Sequence, residues 1–444
     1  MNRRTLLALA PILASTAALF APDDVLAAGD APAAVAATPE RKPPLFPTDV
    51  QFWYETQRAF GAAEYGGALF GEVLAVSSRI APGDYDSWYG AYNDFADRIA
   101  KEASDQLARG HRISARDGFL RAASYYQASE FFLHGDPKDP RIARAYHLST
   151  DCYHQCAKLH APVIEPVEIP YENTTLPGYF HHADGSKSPR PTLIMHTGFD
   201  GSAEEMHVSG ARAAVERGYN VIAFDGPGQY GPLHREGLVF RPDWEKVITP
   251  VVDFALEQPS VDPKRIALMG ISMGGVLAPR AAAFEKRLAA LIANDGVYDF
   301  SAAFRSTMPA DKWEPFVEAV KADAAPQIDQ LLEGLAKKSP TVRWSQAHGM
   351  WSTGAASPRA FMAKALDYHL RDGIAERISC PTLVCEAEDD LFFKGQPQAL
   401  YDHLTCRKTL VRFTNAEGAG AHCQVGASRL AFARMFDWLD ETLA

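Results

Sequence analysis

The chain has 444 residues, 47% of them hydrophobic and 22% charged. That is the composition of a folded globular protein long enough for a catalytic unit plus an accessory one. Its net charge is -11, from 44 basic and 55 acidic residues, which argues against a nucleic-acid partner and against general adhesion to anionic membranes.

Residues 1–27 read as a signal peptide. Arg3 and Arg4 precede an apolar stretch from Leu6 to Phe20 that is too short to span a bilayer comfortably, and Val25-Leu26-Ala27 resembles a cleavage site before Ala28. The arginine pair resembles a twin-arginine signal, and general secretion fits the same pattern. The expectation is an exported protein, periplasmic or secreted, with no membrane association after cleavage; an uncleaved anchor is the alternative. Residues 28–46, rich in Ala and Pro, read as a disordered linker.

From 47 to 162 the pattern is helical, with Pro137 and Pro140 breaking it between a segment at 119–133 and another at 142–159. This accessory domain holds no catalytic motif. It could cover an active site, build a dimer, or act only as a brace. Cys152 and Cys156 share one face of a predicted helix, but no second pair and no ordered His follows at zinc-finger spacing, so they read as packed thiols. The other cysteines, Cys380, Cys385, Cys406 and Cys423, could pair in an exported protein, with no connectivity set by the sequence.

Residues 163–444 read as a catalytic domain. Short apolar runs at 167–171, 176–181, 192–195, 221–224, 266–269, 291–293, 382–385 and 409–413 predict eight strands, the first two forming an antiparallel hairpin. Helical patterns separate most of the others, which predicts a mostly parallel α/β sheet with ligands at the carboxyl ends of its strands. The stretch 301–378 is too long for a simple crossover and predicts a helical cap inserted between strands six and seven.

Gly270-Ile271-Ser272-Met273-Gly274 follows one of these strands and opens a helix. Strand, G-x-S-x-G and helix together make a nucleophile elbow, in which the Ser hydroxyl stands above the sheet and the next N–H points where an oxyanion forms. A serine hydroxyl needs a general base, and the base needs an orienting carboxylate. Asp390 lies five residues past strand seven and is the first choice, with Asp389 and Glu388 as rivals and Asp295, after strand six, as a backup. His422, behind a Gly-rich loop after strand eight, is the base. Met195-His196-Thr197-Gly198-Phe199-Asp200-Gly201 ends strand three, where a second oxyanion donor is expected: Phe199 N–H first, Asp200 N–H second, beside that of Met273. The run Phe224 to Gln229 lacks the Lys of a phosphate loop and reads as a turn shaping the pocket floor. In the cap, Trp344, His348, Met350 and Trp351 pack a core or line an aromatic pocket. Asp200, Asp295, Trp344, Met350 and Trp351 are the candidate substrate contacts.

These motifs resemble the α/β-hydrolases that include 2,6-dihydroxypseudooxynicotine hydrolase and the fungal heptaketide hydrolases, and more distantly the fermentation-respiration switch esterase. The shared pieces are Gly198-Phe199-Asp200-Gly201 with Glu204-Glu205, the run Phe224 to Gln229, the elbow, Phe392-Phe393-Lys394-Gly395-Gln396, and the Gly-Ala-Gly-Ala-His ending at His422. The resemblance spans about residue 47 to the C-terminus. It implies a Ser272-Asp390-His422 triad, a helical N-terminal domain, frequent dimerisation, and no metal or cofactor. It also implies hydrolysis of an ester, or of a carbon–carbon bond beside a ketone, in a bulky small-molecule substrate. The chain departs from those relatives in its export signal and in the wording of its oxyanion loop. A broad carboxylesterase is the alternative. A peptidase of the propeller type lacks support, because no blade-like repeat is present. A non-catalytic binding protein is the remaining reading.

Overall fold

The computed structural model describes residues 43–305, 310–322 and 325–444. The signal peptide expected at 1–27, and the linker expected at 28–46 up to residue 42, lie outside the described residues.

Five helices come first: α1 (Val50–Ala62), α2 (Phe70–Ser77), α3 (Tyr85–Ala108), α4 (Arg112–Glu130) and α5 (Pro140–Leu159). Their starts follow from local chemistry. Asp49, Asp84 and Asp139 each accept backbone N–H bonds at the N-termini of α1, α3 and α5, satisfying donors that the first turn leaves without partners. Pro140 does not merely end the preceding helix. It sits in the first turn of α5, where its missing N–H is not needed. The helices close around an aromatic core that includes Phe52, Trp88, Tyr92, Tyr125, Phe132 and Tyr153.

Eight strands form one sheet: β1 (Glu165–Tyr171), β2 (Thr174–His181), β3 (Arg190–His196), β4 (Asn220–Phe224), β5 (Val261–Ile271), β6 (Ala290–Asn294), β7 (Thr382–Ala387) and β8 (Lys408–Phe413). Their order is β1-β2-β4-β3-β5-β6-β7-β8. The β1–β2 hairpin and the β2–β4 pair are antiparallel, and the other pairs are parallel. The α/β fold read from the sequence is therefore the one the chain adopts.

Continuous apolar runs make sense because both faces are covered. Alternate residues Ile194, Ile222, Leu268 and Leu291 face one core, and their neighbours Leu193, Val221, Met269 and Ile292 face the other, as the two-residue strand period requires. The first face is covered by α8 (Glu245–Leu256) and α9 (Gly274–Ala282), the second by α6 (Ala211–Glu216) and α16 (Ser428–Leu443). The short helix α7 (Tyr230–Glu236) follows β4.

Between β6 and β7 the chain leaves the sheet and forms α10 (Ala302–Arg305), α11 (Ala310–Lys321), α12 (Pro326–Ala336), α13 (Pro340–Thr353) and α14 (Pro358–Ala365). These helices have a small core of their own around Trp313, Phe316, Ile328, Leu332 and Phe361. The helix α15 (Gln396–His403) then links β7 to β8. All six cysteines are free thiols. No helix among the described residues is long and apolar enough to cross a membrane.

Candidate active site

The elbow positions Ser272. β5 ends at Ile271 and α9 begins at Gly274, so the chain must reverse within two residues. Ser272 adopts φ 61°, left-handed backbone that a non-glycine residue holds only when its surroundings over-determine it. The surroundings are tight. A Cβ on Gly270 would lie 2.1 Å from Gly274 O, so no larger residue can close this turn.

His422 arrives from the loop after β8, with the residue behind it, Cys423, also left-handed at φ 53°. Ser272 Oγ lies 2.9 Å from His422 Nε2, and His422 Nδ1 lies 2.8 Å from Asp390 Oδ2. Asp390 is fixed in turn, because its Oδ1 accepts the N–H groups of Phe392 (2.7 Å) and Phe393 (2.9 Å). The structure thus brings Ser272, His422 and Asp390 together in one hydrogen-bonded line. Asp389 and Glu388 are both exposed, and Glu388 accepts from the Asn415 N–H.

A second carboxylate also reaches the histidine. Asp295 Oδ2 is 3.3 Å from His422 Nδ1, while accepting Cys423 N–H at 2.8 Å; its Oδ1 accepts Gln424 Nε2 at 2.6 Å. Two buried carboxylates at one ring separate in their chemistry. Burial works against the Asp390 carboxylate, but the His422 ring and the N–H donors outweigh it and hold the group below its usual range. Burial and the neighbouring Asp390 charge push Asp295 the other way, above its usual range. Burial also disfavours a charged His422, yet Asp390 outweighs it and lifts the ring well above 6.5. Asp390 is therefore the carboxylate whose charge pairs with the His422 ring, and Asp295 lies behind the ring, held by Cys423 and Gln424. The Cys423 thiol lies 3.3 Å from His422 Nε2, and burial pushes it up to about 11, which leaves it protonated and weakly nucleophilic at neutral pH.

Asp295, His422 and Cys423 are also the one group among the described residues whose donor atoms converge as metal ligands would. The His422 nitrogens and both Asp295 oxygens already have protein partners. An ion there would have to displace one of the His422 hydrogen bonds, to Asp390 or to Ser272.

The loop after β3 packs directly on the elbow. A Cβ on Gly198 would lie 2.5 Å from Met273 N and 3.0 Å from Ser272 Cβ, so only glycine allows this approach. Neither Phe199 N–H nor Met273 N–H donates to any described residue. The peptide carrying the Phe199 N–H is anchored at its oxygen end, because Gln229 Nε2 donates to Gly198 O at 3.3 Å and to Thr197 O at 2.7 Å. Phe199 O is held by His348 Nε2 at 2.7 Å. The run Phe224 to Gln229 thus does more than shape a floor: its last residue fixes the candidate oxyanion loop.

Ser272 and His422 open into a cavity of about 150 Å³. Asp200 lines it, as its expected role as a substrate contact requires. Trp344, Met350 and Trp351 do not, nor does Asp295. Trp344 instead stacks on Phe131 with ring centroids 4.7 Å apart and donates its Nε1 to Phe131 O at 3.0 Å, sealing the cap against α4. Met350 packs on the cap core. Trp351 lies against His134 and His234.

The missing wall comes from the helical segment. Tyr54, Glu55 and Arg58 of α1 line the cavity, with Trp88, Tyr125 and Phe131. The Tyr54 ring is 6.0 Å from the His422 ring. Nothing in the sequence singles out these residues. The only trace is a Glu and an Arg three apart on an otherwise amphipathic helix, which usually means a solvated pair.

Comparisons with known proteins agree with this architecture. Residues 175–434 match the Alpha/beta hydrolase family. Hydrolase LUC6 of Fusarium sp is 36% identical over 414 residues, spanning 90% of this chain and 97% of that protein. The 20-hydroxy-prefusarin hydrolase FUS2 of Gibberella moniliformis is 34% identical over 88% of this chain and 96% of its own length. Among solved structures, the 2,6-dihydroxy-pseudo-oxynicotine hydrolase shares the fold, with a TM-score of 0.67 at 23% identity, covering 86% of this chain and 95% of that one. With relatives this similar over nearly their full length, the chain belongs to the alpha/beta hydrolase family and is a hydrolase.

Proposed function

We propose that the protein is a serine hydrolase that works through an acyl-enzyme on Ser272. The observation that carries this reading is the unbroken line from Ser272 Oγ through His422 to Asp390, at 2.9 Å and 2.8 Å. His422 Nε2 takes the hydroxyl proton as Ser272 attacks a carbonyl carbon. Asp390 holds the ring and stabilises its charged form. The N–H groups of Phe199 and Met273 receive the oxyanion, each such donor contributing roughly 3 kcal/mol of transition-state stabilisation. His422 then returns the proton to the leaving group: an alkoxide from an ester, or a stabilised carbanion from an activated ketone. Water attacks the acyl-enzyme by the same route in reverse. The aromatic cavity wall supports a bulky, aromatic or polyketide-like small molecule, and the relative named for 20-hydroxy-prefusarin supports an elaborate rather than a minimal substrate. The basic and apolar start of the chain supports export.

Fluorophosphonate labelling tests the nucleophile. The folded protein should carry one adduct on Ser272, absent in Ser272→Ala and retained in Cys423→Ala; a folded protein without that adduct overturns the reading. A panel of aryl esters and 1,3-diketones separates the two bond types, and turnover of simple short-chain esters with none of diketones rejects carbon–carbon cleavage.

A further inference from the structure

The cavity wall contains a polar cluster that the chemistry at Ser272 does not use. Arg58, on α1, has all three guanidinium nitrogens committed. Nε and NH2 grip the Glu205 carboxylate, with Nε at 2.6 Å. NH1 reaches Asp200 Oδ1 at 3.1 Å and Glu55 Oε2 at 3.4 Å. Gln127 supports Glu205, and Gln51 supports Glu55 at 2.9 Å. Arg58, Glu55, Asp200 and Glu205 all line the cavity that holds Ser272 and His422. Three carboxyl groups surround one arginine, so no fork is left for an incoming anion.

Two further features define what such a cluster accepts. Asp200 Oδ2 takes no hydrogen bond from any described residue and belongs to a side chain 21% exposed, so an accepting oxygen faces the cavity. Tyr54, which touches His422, and Arg58 lie four residues apart on one helix, a separation of roughly 6 Å along its axis. Apolar Ala59, Trp88 and Phe131 make up the neighbouring wall. Burial outweighs the attraction of Arg58 and raises the Glu55 carboxyl above its usual range, while its two oxygens already accept from Gln51 and Arg58.

We propose that the Glu55–Arg58–Asp200–Glu205 cluster is a substrate subsite that takes a hydrogen-bond-donating group, a hydroxyl or an ammonium, about one helical turn from the reacting carbonyl, and excludes carboxylates. The proposal rests on Ser272 marking the reacting end. It assigns the substrate a shape as well as a charge: an apolar, ring-sized body carrying a scissile carbonyl at one end and a donor at the other. An anionic group would meet Asp200 and Glu205 while Arg58 is already occupied, and like charges brought together at a binding surface oppose binding.

The experiment measures binding apart from chemistry. Three aryl esters identical except for a distal hydroxymethyl, aminomethyl or carboxylate group are titrated calorimetrically into the full-length Ser272→Ala protein. The same compounds are followed for kcat/KM in the wild type, with fluorophosphonate labelling in parallel. The hydroxyl or ammonium compound should bind at least about tenfold more tightly than the carboxylate, a gap of ~1.4 kcal/mol. Tighter hydroxyl binding marks a neutral donor, and tighter ammonium binding a cationic one. Asp200→Asn on the Ser272→Ala background should narrow the gap, with a thermal melt confirming its fold. Equal or tighter binding of the carboxylate overturns the subsite. Labelling failure with the binding preference intact would overturn the Ser272 reading and leave the preference standing.

Discussion

Two carboxylates meet His422, and replacing each by its amide should separate their roles. In Asp390→Asn the side-chain oxygen can keep both backbone donors, Phe392 N–H and Phe393 N–H, on the Oδ1 side. The new amide nitrogen must then face His422 Nδ1, where Oδ2 stood at 2.8 Å. An NH2 group donates, so Nδ1 must accept and the ring proton must sit on Nε2, pointing at Ser272. That tautomer cannot take the serine proton, and a wrong tautomer of this kind removes about 10,000-fold in kcat, or ~5.5 kcal/mol. The fold should hardly change, since no buried donor loses its acceptor. Asp295→Asn is the reverse case. Asp295 accepts on both oxygens, from Cys423 N–H and Gln424 Nε2, so an amide nitrogen at either site opposes a donor. One buried bond is lost, which destabilises the protein by about 1–3 kcal/mol. The ring keeps Asp390, so kcat should fall by no more than about tenfold. Steady-state kinetics on an activated aryl ester, beside thermal melts of both variants, decides the matter. Asp390 is not the orienting carboxylate if Asp390→Asn keeps more than about a tenth of wild-type kcat, or if Asp295→Asn reproduces the large kcat loss with an unchanged melting temperature.

The pH profile follows from the same pair. Only neutral His422 can act as the base, and Asp390 lifts its ionisation well above 6.5. kcat/KM should therefore fall as pH drops through a value above 6.5, and Asp390→Asn should move that limb downward; a wild-type limb at or below 6.5 contradicts the charge assignment. His348→Ala removes the donor on Phe199 O. It should lower kcat by roughly tenfold with little change in KM, and His348→Gln should recover part of the loss, whereas equal losses in both variants would assign His348 a packing role only.

Much of the catalytic half was legible because its signals are local. Strand runs buried on both faces show as uninterrupted apolar stretches, and Ser272, Asp390 and His422 each follow a strand in the chain order the family uses. The cavity wall was not legible, because it depends on which face of α1 meets the loop after β3. Glu55 and Arg58 look like a solvated helix pair until Asp200 and Glu205, about 150 residues later, arrive beside them. The aromatic group in the cap misled for the same reason. Trp344 and Trp351 carry the composition of a pocket lining, but composition does not report that Phe131 and His134, just past the end of α4, fill the space in front of them. Asp295 was visible as a carboxylate after β6, but its position behind the ring depends on the left-handed turn at Cys423 and Gln424.

The helical segment, the cap and the sheet are not three separable bodies with the chemistry in one of them. Phe199 packs against the sheet core, the helical core and the cap core at once. Its ring lies 4.6 Å from that of His348 and 6.3 Å from that of Phe240, while Gln229 and His348 hold the carbonyls on either side of its N–H. An oxyanion donor is effective only if its direction is fixed before charge develops. For the proposed donor, Phe199 N–H, that direction is held by Gln229 and His348 on the flanking carbonyls and by Phe240, Trp344 and Phe361 around its ring, so the packing of the cap bears directly on it. In the proposed mechanism the accessory segment therefore has two tasks, supplying a wall of the cavity and the packing that holds the proposed donor in line.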